Sequence, residues 1–104
     1  MSNAPSANTL RGEAELLLGE AIVRFRPTFT ALVAAEAEVG PLFALVERAA
    51  AGELTLVELT ALFWHCRAAC DLARPDFSEA LIAGGLAEAT PALRTLLGQV
   101  LQGR

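Results

Sequence analysis

The chain has 104 residues, 54% of them apolar and 19% charged, with a net charge of −4 and a mean hydropathy of +0.45. So apolar a sequence must bury surface, which excludes a disordered chain, and the acidic balance excludes a protein that tracks nucleic-acid phosphates. No uncharged apolar run reaches the ~20 residues of a membrane span, and the only cysteines, Cys66 and Cys70, are too few for a disulfide framework. Alanine supplies 21 residues and leucine 18, while lysine and tyrosine are absent, so all eight cations are arginines. A small domain this apolar carries more greasy surface than its own core can use.

Residues 1–9 are small and polar and are expected to be flexible. They lack the cationic start and apolar middle of a signal peptide, so the cytoplasm is the expected compartment. A single domain is expected over residues 10–104. It opens with a β-hairpin over residues 13–26. Gly19-Glu20 is a two-residue loop with glycine first, which suits a type II′ turn. That register pairs Leu18 with Ala21, Leu16 with Val23 and Ala14 with Phe25 on one face. On the other it pairs Leu17 with Ile22, Glu15 with Arg24 and Glu13 with Arg26, so two opposite-charge pairs fall out of it unforced.

Pro27 closes the hairpin and opens a helix over about 27–39. Gly40-Pro41 breaks it and starts a second helix over about 41–51, with Leu42, Leu45, Val46 and Ala49 on one stripe and Gly52 as its stop. Thr55 and Glu58 form a capping box for a third helix over about 55–70, striped by Leu56, Leu59, Phe63, Cys66 and Cys70. Asp76 and Glu79 resemble an N-terminal cap for a short helix over about 77–83, ended by Gly84-Gly85. Thr90-Pro91 reads as the start of a last helix over about 91–102, with Leu93, Leu96, Leu97, Val100 and Leu101 at helical spacing. Residues 86–89 could belong to that helix or precede it. The expected fold class is α+β, mainly α: an N-terminal β-hairpin followed by four or five short helices. A lone hairpin is marginal in water, so it must pack on the helices, pair with another chain, or both.

The sequence offers little chemistry. His65, the single histidine, points away from the third helix's core stripe and has no evident nucleophile or orienting partner, so it is read as a surface residue and no catalytic residue is assigned. Cys66 and Cys70 are two of the four ligands a zinc site needs, and no further cysteine completes it; they read as small buried hydrophobes. Gly84-Gly85 has neither the glycine pattern nor the lysine of a phosphate loop. No cofactor, metal or enzymatic activity is expected. Glu36 projects between Phe29, Leu32 and Val33, so it is expected to be a buried structural carboxylate, held by Arg24, Arg26 or Arg67 or capping a neighbouring helix. Four apolar residues lie off the stripes, namely Leu17, Ile22, Leu62 and Trp64, and these are the candidate partner contacts. Trp64 also reads as a flank of the core.

The order Arg11-Gly12-Glu13, a hairpin, Arg26-Pro27-Thr28-Phe29 and Ala31 to Glu36 ending at Gly40 resembles the gene transfer agent and phage tail assembly chaperone family, also labelled as a gene transfer agent tail protein. Leu45-Val46-Glu47-Arg48, then Ala51 to Thr55, and Gly85 to Ala89 running into a leucine-rich helix, extend the likeness over roughly residues 10–102. The stretch Cys70 to Pro75 and the pair Trp64-His65 depart from it. The resemblance implies a non-enzymatic assembly chaperone. Its partners would be the tape-measure protein and the tail-tube protein. On such a protein a partner helix could lie between short helices, and the hairpin edges could add a strand from a second copy to give a homo-oligomer. The rival expectations are a structural tail component retained in the particle, a generic helical interaction domain, and a small enzyme or metal protein using His65, Cys66 and Cys70. Composition argues against the structural component, because a tube subunit is expected to need a large sheet and only one hairpin is visible.

Overall fold

A computed structural model describes residues 13–68 and 70–102; the expected flexible segment 1–9 lies outside them. The hairpin forms as its sequence requires. β1 (Ala14–Leu18) and β2 (Ala21–Phe25) pair antiparallel in the expected register from Ala14↔Phe25 to Leu18↔Ala21. Gly19 takes φ +66° and no described non-glycine residue has positive φ, which excludes a type I′ turn, where both central residues need it. Glu13 and Arg26 meet at 3.1 Å across the open end. Alternation then sorts the faces. Ala14, Leu18, Val23 and Phe25 are buried, and Leu17 and Ile22 stand on the opposite, solvent face.

Five helices follow: α1 (Phe29–Val39), α2 (Leu42–Ala50), α3 (Leu56–Cys66), α4 (Arg74–Ala83) and α5 (Leu86–Gln102). α1 starts two residues later than Pro27, because Thr28 stays extended and its hydroxyl accepts the Ala31 N–H at 3.1 Å. α2 turns 80° away from α1 across Gly40-Pro41. Gly40, at φ +96°, supplies the backbone conformation that other residues resist. The Thr55–Glu58 capping box at the head of α3 closes in both directions, at 3.1 and 3.0 Å.

Three further helix boundaries differ from expectation. The third helix ends at Cys66 instead of running to residue 70. Arg67 turns extended and bridges Phe25, the Arg26 N–H donates to the Cys66 carbonyl at 2.8 Å, and the Ala68 N–H donates to the Arg24 carbonyl at 2.7 Å. The outer edge of β2 thus captures the chain, and pairing that edge outweighs one more helical turn. Cys66 and Cys70 therefore do not share a helical face. α4 begins at Arg74, three residues before the expected start, with Pro75 in its first turn and Asp76 already helical. α5 begins at Leu86 and runs through Pro91, so Thr90 is helical and does not cap. Pro91 is the sixth residue of α5, so it forfeits the backbone bond to the carbonyl four residues back and its ring crowds that carbonyl.

The core is where the inner face of the hairpin meets α3, α4 and α5. Phe25, Phe63 and Phe77 are fully buried there. The Phe25 ring sits edge-on to Phe63 at 5.0 Å and to Phe77 at 6.1 Å. Each such ring stabilises by roughly 1.5–3 kcal/mol relative to exposure, and edge-to-face geometry adds to that. α1 packs mainly on α3 through Ala31 and Ala35, whose small side chains allow close approach, and α5 lies against β1 and α4.

Candidate functional site

The solvent face of the hairpin carries the expected apolar pair: Leu17 is 64% exposed and Ile22 70%. They oppose each other across the strands. The other two candidates are placed differently. Leu62 is fully buried in the α3 core, so it is no surface contact. The periodicity places it off a one-sided stripe, whereas Leu59, Ala61, Leu62, Phe63 and Cys66 are all buried and the helix is enclosed by hairpin, α1 and α4. Trp64 is half-buried and already engaged. Its ring meets Phe77 at 5.3 Å, the Arg67 guanidinium lies 3.3 Å from its centroid, and Arg74 lies 5.7 Å away. Arg67 also donates to the Trp64 carbonyl at 2.6 Å. Trp64 is a flank of the core held by cation–π contacts.

Glu36 is exposed, not buried. It does share a face with Phe29 and Val33, but that face looks outward, while Ala31 and Ala35 face the core. Its Oε2 accepts the Leu42 N–H at 3.1 Å, so it caps α2 instead of pairing with Arg24, Arg26 or Arg67. The outward turn of α1 leaves Phe29 83% exposed, with Val33 one turn on and Phe43 beyond it on α2. Sequence reading missed these residues. α1 is apolar nearly all round, so periodicity cannot choose its buried side; the carboxylate at Glu36 was the signal that marked the wet one.

Two hollows join into one groove between α2, the start of α3 and α5. They share Ala49, Thr90 and Leu93 and measure about 400 and 250 Å³. Val46, Leu97 and Gly98 line one end, Leu54, Leu56 and Leu59 the other, with Ala50 and Arg94 at the rim. Arg94 is the one charged residue among the described lining residues.

The polar clusters are structural in form. Glu38 at the end of α1 accepts from His65 Nε2 of α3 at 2.8 Å and pairs through its other oxygen with Arg74 of α4. The bond from Arg74, and then that from His65, hold its carboxyl below the ordinary 4.5. His65 is thus half-buried and partnered, where a free surface residue was expected. Arg48 of α2 pairs with Glu58 of α3. Burial pushes the Cys66 thiol up to about 12, so it is protonated and unreactive at neutral pH. No group of three metal-ligating side chains occurs among the described residues, and no single helix is long and apolar enough to cross a membrane.

The fold is that of a small α+β protein with large apolar side chains left exposed on its hairpin and helices. Residues 11–103 match the family described as phage tail tube protein, GTA-gp10, and the chain belongs to that gene transfer agent and phage tail family. No curated protein and no solved structure matches. The family assignment corrects one expectation: its members are described as tube proteins, structural components, so the assembly-chaperone reading is overturned, and the tape-measure partner inferred with it is left without support. The compositional objection to a structural component fails for a physical reason. The sheet within one chain does not limit the contacts that chain makes, and among the described residues six of the eight exposed large apolar side chains lie on helices.

Proposed function

We propose that this chain is a structural component of a phage-like or gene transfer agent tail, retained in the particle by contacts with other tail-tube subunits. The match to the tube family over residues 11–103 carries the reading. Support comes from the surface. Leu17, Ile22, Phe29, Phe43 and Val57 are each more than half exposed, a solvent cost that burial between subunits removes. The chain acts without catalysis in this reading. Quantitative mass spectrometry of purified particles tests it. The expected outcome is this chain in fixed stoichiometry with the other tail proteins; its absence from mature particles overturns the proposal.

A further inference from the structure

We infer that the exposed face of α1, led by Phe29 and Val33, docks into the α2–α5 groove of a second copy of this chain, giving a head-to-tail contact. The inference rests on the reading of the chain as a tail subunit and names the surfaces such subunits would use. Phe29 is the most exposed large apolar side chain described, and Val33 stands on the same side one turn later. The groove offers the matching concavity. Its lining sets small residues, Ala49, Ala89 and Gly98, beside Leu93 and Leu97. That is the form in which one helix receives another's i, i+4 anchors.

Charge selects the occupant. Arg94 is the one charged residue among the described lining residues, and it is exposed. α1 carries Glu36 and Glu38 and no cation. Glu38 is already committed to His65 and Arg74. Glu36 lies on the same outward face as Phe29, and its Oε2 accepts the Leu42 N–H. A carboxylate has room for a further donor, so Glu36 can meet the partner's Arg94 while Phe29 fills the groove.

The two surfaces share no residue, so one copy can offer both at once. Such a contact is heterologous and propagates into a ring or a filament instead of closing as a two-fold dimer. That geometry dictates the test. Sedimentation of the full chain should show association beyond a dimer as concentration rises towards about 1 mM, the dissociation range of a weak contact. Phe29→Glu breaks the knob, and Ala50→Arg blocks the groove at an exposed position; each alone should be monomeric with an unchanged circular dichroism spectrum. Mixed one to one, they should form a heterodimer and nothing larger, because each retains one intact surface. Val33→Glu and Arg94→Glu are the second knob and groove variants should either first choice fail to fold. A wild-type chain that stays monomeric at about 1 mM overturns the inference. So does a mixture that forms no heterodimer, or an Ala50→Arg variant that still dimerises while Phe29→Glu does not, the mark of a two-fold contact through α1. Stoichiometric presence in particles without this association refutes the contact alone, and association without presence in particles refutes the tail-subunit reading.

Discussion

At the scale of single residues, the decisive distinction is between side chains that serve the fold and those left over. Glu36 shows how the distinction turns on direction. Its neighbours along the helix were legible from the 3.6-residue period, but the period says only which residues are co-facial, not which way the face looks. Outward, a carboxylate needs no buried cation, and Glu36 instead satisfies an orphan N–H at the head of α2, where Pro41 cannot contribute a capping side chain. Replacing Glu36 with alanine should therefore cost about 1 kcal/mol, the typical worth of a helix cap. Urea denaturation measures it, and a loss several times larger would mean that the side chain is buried and ion-paired after all. Trp64 carries the same lesson. Its place beside Phe63 in sequence left two readings open, and the guanidinium of Arg67 over its ring selects the core flank.

At the scale of elements, local chemistry fixed whatever depends on a few neighbouring residues. The hairpin register followed from a two-residue turn and from charge pairs, and the capping box at Thr55 from two residues three apart. Boundaries that depend on a distant partner were not legible. The end of α3 is set by the β2 edge, which no local pattern near Cys66 reveals. The start of α5 looked like Thr90-Pro91 because proline favours the first helical turn, yet Gly85 at φ +94° already separates α4 from α5 five residues earlier. The contrast between Leu17–Ile22 and Leu62 makes this testable. Leu17→Glu with Ile22→Lys should change stability by less than about 0.5 kcal/mol each, as solvent-facing substitutions do. Leu62→Ala should cost about 2–5 kcal/mol, as a fully buried leucine does. Thermal melts of the two variants separate the cases, and unfolding of the hairpin double variant would show that its outer face is covered.

At the scale of the molecule, Glu38 and Glu58 tie helices together: Glu38 joins α1 to α3 and α4, and Glu58 joins α3 to α2. Both carboxyls are held below the ordinary 4.5, Glu38 first by the bond from Arg74 and Glu58 first by the Thr55 backbone N–H. A carboxyl whose folded pKa is lowered stabilises the protein above its unfolded value and loses that contribution as pH falls through the folded one. Stability should thus be insensitive to these two groups above about pH 5 and decline below 4.5. Urea midpoints between pH 7 and 3 should show the decline, with a shallower acid slope in Glu38→Gln; an unchanged slope would mean that the tie forms no net interaction. The sequence by itself determined the α+β class, the hairpin and its register, the apolar excess and the resemblance to a tail family, because turns, caps and alternation are settled within a few residues. It did not determine which face of α1 is wet, that Leu62 is core, where α3 stops, or that α2 and α5 frame a groove. Those depend on which surfaces meet when the chain closes on itself, and α1 and α3, apolar on almost every side, could have met their neighbours in more than one way. The tertiary structure made the choice by packing Ala31 and Ala35 against α3 and leaving Phe29 and Val33 outside.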